Sequence, residues 1–123
     1  MANPELVAAT HLCVVNRRTG VVLAERARVA NTVWLRGVGL LGSKNAGGGL
    51  FITPCSSIHT AFMGFAIDAL FLNEQNEVLA TYCPLVPWRM TRWVRGARGV
   101  LELDATRAGD TQRGDVLEAI PCA

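Results

Sequence analysis

Short apolar segments rich in β-branched and aromatic residues recur along the sequence, and glycine, proline or asparagine residues separate them. This pattern is typical of strands, because such side chains suit a pleated, half-buried surface and turn residues end each segment. Ile67–Leu72 is a nearly continuous apolar segment, interrupted only by Asp68. We expect strands over residues 10–16, 21–29, 50–53, 58–63, 67–72, 77–83, 99–104 and 115–120.

The second of these segments alternates between apolar and charged residues. One face of the strand is expected to hold every second residue, namely Leu23, Glu25, Ala27 and Val29. The intervening arginines are expected on the opposite face, so this strand should be half exposed. Later in the chain, two prolines at positions 84 and 87 are expected to break regular structure.

One stretch has helical spacing, over residues 31–41. Asn31 or Thr32 can cap it, and Trp34 is expected to hold two or three turns by packing, although two glycines weaken the helix. Together these patterns predict a mainly β fold, or α+β with one short helix, built as a small closed or nearly closed β-barrel-like single domain over residues 1–123.

Composition narrows the class of protein. Half of the 123 residues are apolar, which predicts a compact core and argues against disorder. No apolar run approaches the roughly 18 to 20 residues of a membrane span, and the N-terminus lacks the pattern of a signal peptide. The four cysteines lie far apart in no metal-binding motif and are expected to be reduced thiols. We therefore expect a cytoplasmic protein.

The segment from Ser57 to Leu72 holds the most suggestive polar residues, His59, Thr60 and Asp68, within apolar sequence. An imidazole beside a carboxylate is a common proton-transfer pair, and a turn at Gly64 would place His59 opposite Asp68 on neighbouring strands. The alternative is structural, because buried polar groups must find hydrogen-bond partners whether or not they catalyse a reaction. The sequence leaves both interpretations open.

Metal and cofactor sites find little support in the sequence. Cys55 and His59 have a C-x-x-x-H spacing, but zinc sites need three or four ligands and no others are evident. Gly47, Gly48 and Gly49 precede a strand rather than a helix, which is the wrong context for a phosphate-binding loop. We expect neither a metal nor a cofactor.

Residues 88–98 form the best candidate binding surface. They contain two tryptophans, four arginines and no acidic residue. Guanidinium groups such as those of Arg89 and Arg92 suit carboxylates or phosphates, and tryptophans such as Trp88 can stack on bases, sugars or other arginines. The alternative is a solvated segment whose arginine stems cover the tryptophans and whose charges pair with nearby acids, namely Glu74, Glu77, Glu102 and Asp104.

The sequence also resembles a family of bacterial and archaeal proteins known as domain of unknown function 192. An IHT-x-x-M-x-F-x-ID core at residues 58–68 carries the resemblance. Matching segments occur in the same order as in the family, at residues 36–42, 49–72, 87–89, 100–103 and 114–115. The resemblance implies a small, mostly β domain without an established activity. Its motif residues in this chain are Arg36, His59, Thr60, Met63, Asp68, Trp88, Arg89 and Glu102.

Three functional hypotheses follow. The first is a non-enzymatic binding module that uses Arg36, Thr60, Trp88, Arg89 and Arg92 toward an anionic small molecule or a protein partner. The second is a small hydrolase or transferase acting on an anionic substrate, with His59 as base and Asp68 orienting it. Arg36 or Arg89 would hold the substrate's charge. The third is nucleic-acid binding through residues 89–98, against which the formal net charge of only +2 argues.

Overall fold

Seven strands form one sheet in the computed structural model, which describes residues 9–31 and 45–122. The strands are β1 His11–Asn16, β2 Val22–Ala30, β3 Leu50–Ile52, β4 Ile67–Leu72, β5 Val78–Leu85, β6 Gly99–Asp104 and β7 Leu117–Pro121. Their order across the sheet is β5-β4-β6-β3-β2-β1-β7. All neighbours are antiparallel except β2 and β3, which are parallel.

The two edge strands of this sheet meet at one end. The amide of Val78 in β5 donates to Asp115 just before β7 at 2.8 Å, and the amide of Leu117 donates to Asn76 at 2.9 Å. The sheet therefore curls into a half-barrel whose edges are joined by a few backbone hydrogen bonds. The expectation of a mainly β, nearly closed barrel-like fold is confirmed.

Each face of the sheet carries its own buried cluster. One cluster includes Leu12, Leu23, Leu70, Leu101 and Leu117, and the other includes Leu50, Ile52, Ile67, Phe71 and Val100. Because β4 contributes to both, all six of its residues are buried, which explains its nearly continuous apolar sequence. The second cluster also contains residues outside the strands, among them Ile58, Met63, Val94 and Ala97. Irregular segments thus cover this second face.

Two expected elements differ in the structure. Residues 58–63 form no strand and do not pair with β4, because the backbone groups of Ile58 and Thr60 form hydrogen bonds with residues 88–91. Pro84 does not end β5, which continues to Leu85. Proline is tolerated there because β5 is an edge strand and its pairing with β4 is irregular between Tyr82 and Leu85.

Apart from residue 31, the expected helix over residues 31–41 lies outside the described residues, and so does Arg36. The described residues include no helix long and apolar enough to cross a membrane.

Gly99, the first residue of β6, is required by close packing. A Cβ atom there would lie 2.8 Å from Cζ of Phe51 and 3.1 Å from the carbonyl oxygen of Ile52. We expect Gly99→Ala to lower the free energy of unfolding by about 1–3 kcal/mol, because overpacking displaces the Phe51 ring. Urea unfolding measures this change.

The matched control is Gly64→Ala, since a Cβ at Gly64 would have no heavy atom within 4 Å. We expect that control to lie within about 0.5 kcal/mol of the native protein. Equal stability of the two variants would contradict the packing account.

Candidate functional site

The loop of residues 86–98 joins β5 to β6 and lies along residues 55–60. Backbone hydrogen bonds connect the two segments: Val94 donates to Ser56 at 2.8 Å, Thr91 to Ile58 at 2.9 Å, and Thr60 to Arg89 at 2.8 Å. From residue 91 onward every third residue of the loop is a buried anchor, namely Thr91, Val94 and Ala97. Connections this long without regular structure are uncommon in compact domains and are frequently functional.

Thr60 fixes the start of this loop. Its hydroxyl donates to the carbonyl of Val86 at 2.7 Å and accepts from the amide of Arg89 at 2.9 Å, while its own carbonyl accepts from the amide of Trp88 at 3.0 Å. The residue is completely buried. Thr60, expected at the binding site, therefore positions Trp88 and Arg89 from beneath rather than facing solvent.

Phe62 and Trp88 form an exposed aromatic pair. Their ring centroids lie 4.8 Å apart with an interplanar angle of 60°, yet the residues are 73% and 61% exposed. Both adopt left-handed backbone conformations, with φ of 65° for Phe62 and 63° for Trp88. Such conformations are unusual for bulky residues and cost on the order of 1–3 kcal/mol each. The surrounding hydrogen bonds hold the pair in this arrangement.

Further large apolar side chains are exposed on the same loop. Met90 is 76% exposed and Trp93 75%, and Val86 is also exposed. His59 forms an isolated antiparallel β-bridge with Met90. These two residues line a shallow depression of about 350 Å³ together with Trp88 and Arg89. We call the set Phe62, Val86, Trp88, Arg89, Met90, Arg92 and Trp93, with His59, the aromatic surface.

The arginines of this loop remain largely unpaired. Arg98 forms an ion pair with Glu74 at 3.6 Å, but no acidic group in residues 9–31 or 45–122 pairs with Arg89, Arg92 or Arg95. The other acids proposed as partners are engaged or placed elsewhere: Glu77 contacts Asn73, Asp104 accepts from Ala46, and Glu102 is buried in the sheet. The tryptophans are also exposed rather than covered. This surface therefore differs from a charge-compensated solvated segment.

The structure does not bring His59 and Asp68 together. His59 is exposed in the depression, whereas Asp68 is buried in β4 and its carboxylate accepts from the amide of Ala108 at 3.0 Å. Asp68 does not line the depression. Its other carboxylate oxygen is buried and accepts no hydrogen bond from the residues that the structure describes. The polar residues of this segment thus serve two separate regions.

Cys55 and His59 gain no further metal ligands from residues 9–31 or 45–122. The described part of the chain contains no group of three or more histidine, cysteine or acidic residues arranged to hold a metal ion. The Cys55 thiol donates to the carbonyl of Ser57 at 3.2 Å. The other three cysteines, Cys13, Cys83 and Cys122, are free thiols.

Glu102 is a buried carboxyl group at the centre of the sheet. In β6 it pairs with Leu50 of β3 on one side and Ala69 of β4 on the other, and only 4% of its surface is exposed. No hydrogen bond to its carboxylate is formed by the residues that the structure describes. Burial raises its pKa from an ordinary value of 4.5 to about 7.

Comparison with protein families finds one family whose model matches most of the chain. The family model of domain of unknown function 192, described as an uncharacterized ACR, matches residues 14–119. The chain belongs to the DUF192 family. No curated protein matches it.

Two solved structures share the DUF192 chain's fold. A protein of unknown function from Novosphingobium aromaticivorans matches with a TM-score of 0.74 and 18% identity, over 96% of this chain and 91% of its own. A protein from Sinorhizobium meliloti, described as a candidate transcription regulator, matches with a TM-score of 0.73 and 18% identity, over 92% and 95%. At this identity the likeness shows the fold alone.

The DUF192 motif residues divide between the surface and the sheet. His59, Trp88 and Arg89 meet at the aromatic surface, with Thr60 and Met63 buried beneath it, whereas Asp68 and Glu102 lie within the strands. Sequence reasoning missed Phe62 and Met90. Their only signal was their position beside the motif residues, because apolar residues in an apolar segment predict burial rather than exposure.

The elevated pKa of Glu102 predicts a specific pH dependence of stability. Because the folded state holds the proton more tightly than the unfolded chain, the contribution of Glu102 to stability is present below about pH 4.5 and is lost as pH rises to about 7. We expect Glu102→Gln to gain about 3 kcal/mol of stability relative to the native protein between pH 4 and pH 8. Urea unfolding at pH 4, 6 and 8 measures the difference, and a constant difference would contradict this assignment.

Proposed function

We propose that this DUF192 protein is a non-enzymatic binding module whose aromatic surface docks a segment of a partner protein. The segment would carry an aromatic or large apolar side chain with carboxylates beside it. The exposed Phe62–Trp88 pair is the observation that carries the proposal. A cytoplasmic location is part of it and is supported by the free thiols of Cys13, Cys83 and Cys122.

Exposure of these side chains is costly, which supports a role in binding. Soluble proteins rarely expose contiguous large apolar patches unless they form interaction sites, and tryptophan and arginine are enriched where binding energy concentrates. Here Phe62 and Trp88 remain exposed in unfavourable backbone conformations. A preformed pair loses little conformational freedom when a partner binds.

The charge of the surface selects the class of segment. Arg89 and Arg92 are exposed without acidic partners among the described residues, so carboxylates of a bound segment would complete their ion pairs. The depression beside His59 is shallow and open, which suits a protein segment better than an enclosed small molecule. In this proposal Trp88, Arg89 and Arg92 contact the segment, and Thr60 positions them.

The two alternatives find less support. An enzyme using His59 and Asp68 would need these residues in contact, and they occupy different regions of the fold. The description of the Sinorhizobium meliloti structure brings nucleic-acid binding into consideration, but that protein is only 18% identical. Nucleic-acid binding would be recognised by an affinity that falls steeply with salt.

Peptide display tests the proposal. Selection of a random peptide library on the native protein should enrich sequences with an aromatic or large apolar residue flanked by aspartate or glutamate. We expect Trp88→Ala and Arg89→Gln each to weaken binding of the selected peptides by about tenfold or more, because each removes a central contact. Both melting temperatures should stay within a few degrees of the native value, since both side chains are exposed.

Matched controls come from exposed positions elsewhere. Ile120→Ala in β7 and Arg113→Gln before it change an apolar side chain and an arginine away from the aromatic surface. We expect both to bind the peptides like the native protein. Enrichment of no acidic sequence, or equal binding by Trp88→Ala, would overturn the proposal. Salt-sensitive binding of oligonucleotides in place of peptides would favour the nucleic-acid alternative.

A further inference from the structure

A β-bulge interrupts the pairing of β1 with β2. Leu12 pairs with Ala27 and Val14 with Ala24, so the single residue Cys13 faces two residues, Glu25 and Arg26. The expectation that Glu25 shares a face with the buried residues of β2 is therefore wrong, because the extra residue turns it toward solvent. Both Glu25 and Arg26 are exposed at the bulge. Bulges of this kind often redirect side chains beside functional sites.

A glycine loop packs directly against the bulged strand. Gly48 and Gly49 have φ of 94° and 113°, a region that favours glycine. A Cβ at Gly49 would lie 3.2 Å from the Leu103 side chain and 3.3 Å from that of Ala27, and a Cβ at Gly48 would lie 3.4 Å from the carbonyl oxygen of Arg26. Glycine thus lets the loop backbone approach β2 closely.

A cavity of about 570 Å³ lies between the bulge and this loop. The buried residues Leu23 and Leu103 supply apolar lining, and Gly47–Gly49 contribute backbone. Its volume falls in the range of small-molecule sites, which combine apolar walls with a few polar groups. None of its lining residues belongs to the aromatic surface.

Charged groups of both signs line this cavity: Glu25, Arg26, Asp104 and Arg107. Arg107 donates from Nε to the carbonyl of Leu23 at 3.1 Å, and Asp104 accepts from the amide of Ala46 at 2.7 Å, so both side chains are held in place. Among the residues described, no salt bridge joins the four groups, and Glu25 and Arg26 make no side-chain hydrogen bond. Two positive and two negative groups therefore share one cavity without neutralising one another.

We propose that this cavity binds a small zwitterion, such as an α-amino acid or a phosphorylated amine. Its anionic group would lie between the guanidinium groups of Arg26 and Arg107, and its ammonium group beside the carboxylates of Glu25 and Asp104. A simple anion would be repelled by the two carboxylates, and a simple amine would be repelled by the two guanidinium groups. A zwitterion satisfies both pairs.

Nuclear magnetic resonance of ¹⁵N-labelled protein tests this site. The probes are L-leucine, L-phenylalanine and phosphoethanolamine, each compared with analogues that lack the amino group or the anionic group. We expect at least one zwitterion to produce saturable amide shifts at Gly47–Gly49, with binding about tenfold or more tighter than its singly charged analogues. The aromatic surface should not respond.

Variants separate binding from folding. Arg26→Gln removes an exposed side chain that makes no hydrogen bond or ion pair with the described residues, and it should weaken binding about tenfold or more. Arg107→Gln should weaken binding similarly, and its melting temperature is measured alongside. Arg113→Gln, at an exposed position outside the cavity lining, should bind like the native protein. The proposal is overturned by an absence of saturable shifts with every zwitterion at about 10 mM. It is equally overturned by undiminished binding to Arg26→Gln or by equal binding of the simple anions.

Discussion

The hydrogen bonds of one buried hydroxyl, that of Thr60, determine how this protein presents its surface. The hydroxyl joins the carbonyl of Val86 to the amide of Arg89, and the adjacent carbonyl holds the amide of Trp88. Backbone groups in an irregular loop have no strand partner, so each must be satisfied individually. Thr60 satisfies four of them, because its own amide also donates to the carbonyl of Arg89, and it fixes where Trp88 projects.

This arrangement follows from the architecture of the sheet. Both faces of β4 and β6 are buried, so the second face needs a cover, and irregular segments provide it. Their buried residues, Ile58, Met63, Val94 and Ala97, anchor them to the sheet and leave the intervening side chains outside. The same packing that completes the core therefore displays Phe62 and Trp88. In this account fold and binding surface are stabilised together.

Much of the sheet could be predicted from the sequence, because strands buried on both faces leave an unmistakable apolar pattern. β4 and β6 match their expected bounds, since Ile67–Leu72 and Gly99–Asp104 are bounded by turn residues. The pairing of residues 58–63 could not be predicted, because an apolar pattern indicates burial but not which backbone supplies the hydrogen bonds. The bulge at Glu25 was hidden for a similar reason, since one unpaired residue shifts the alternation without changing composition.

The candidate site could be predicted only in part from the sequence. Trp88, Arg89 and Arg92 stood out by residue type, and the structure leaves all three exposed. The sequence could not show that His59 and Asp68 lie apart, because their distance depends on whether residues 58–63 pair with β4, and that pairing does not form. It also could not reveal the cavity beside Gly47–Gly49, whose charged residues come from distant segments that only the strand order brings together.

Amide hydrogen exchange measures directly whether Thr60 holds the loop of residues 86–98. If Thr60 holds the loop, the amides of Trp88 and Arg89 should exchange at least about a hundredfold more slowly than an unstructured peptide. The amides of Arg92 and Trp93, which form no hydrogen bond within the described chain, should exchange rapidly and serve as internal controls. Exchange of Trp88 and Arg89 as fast as these controls would contradict the account.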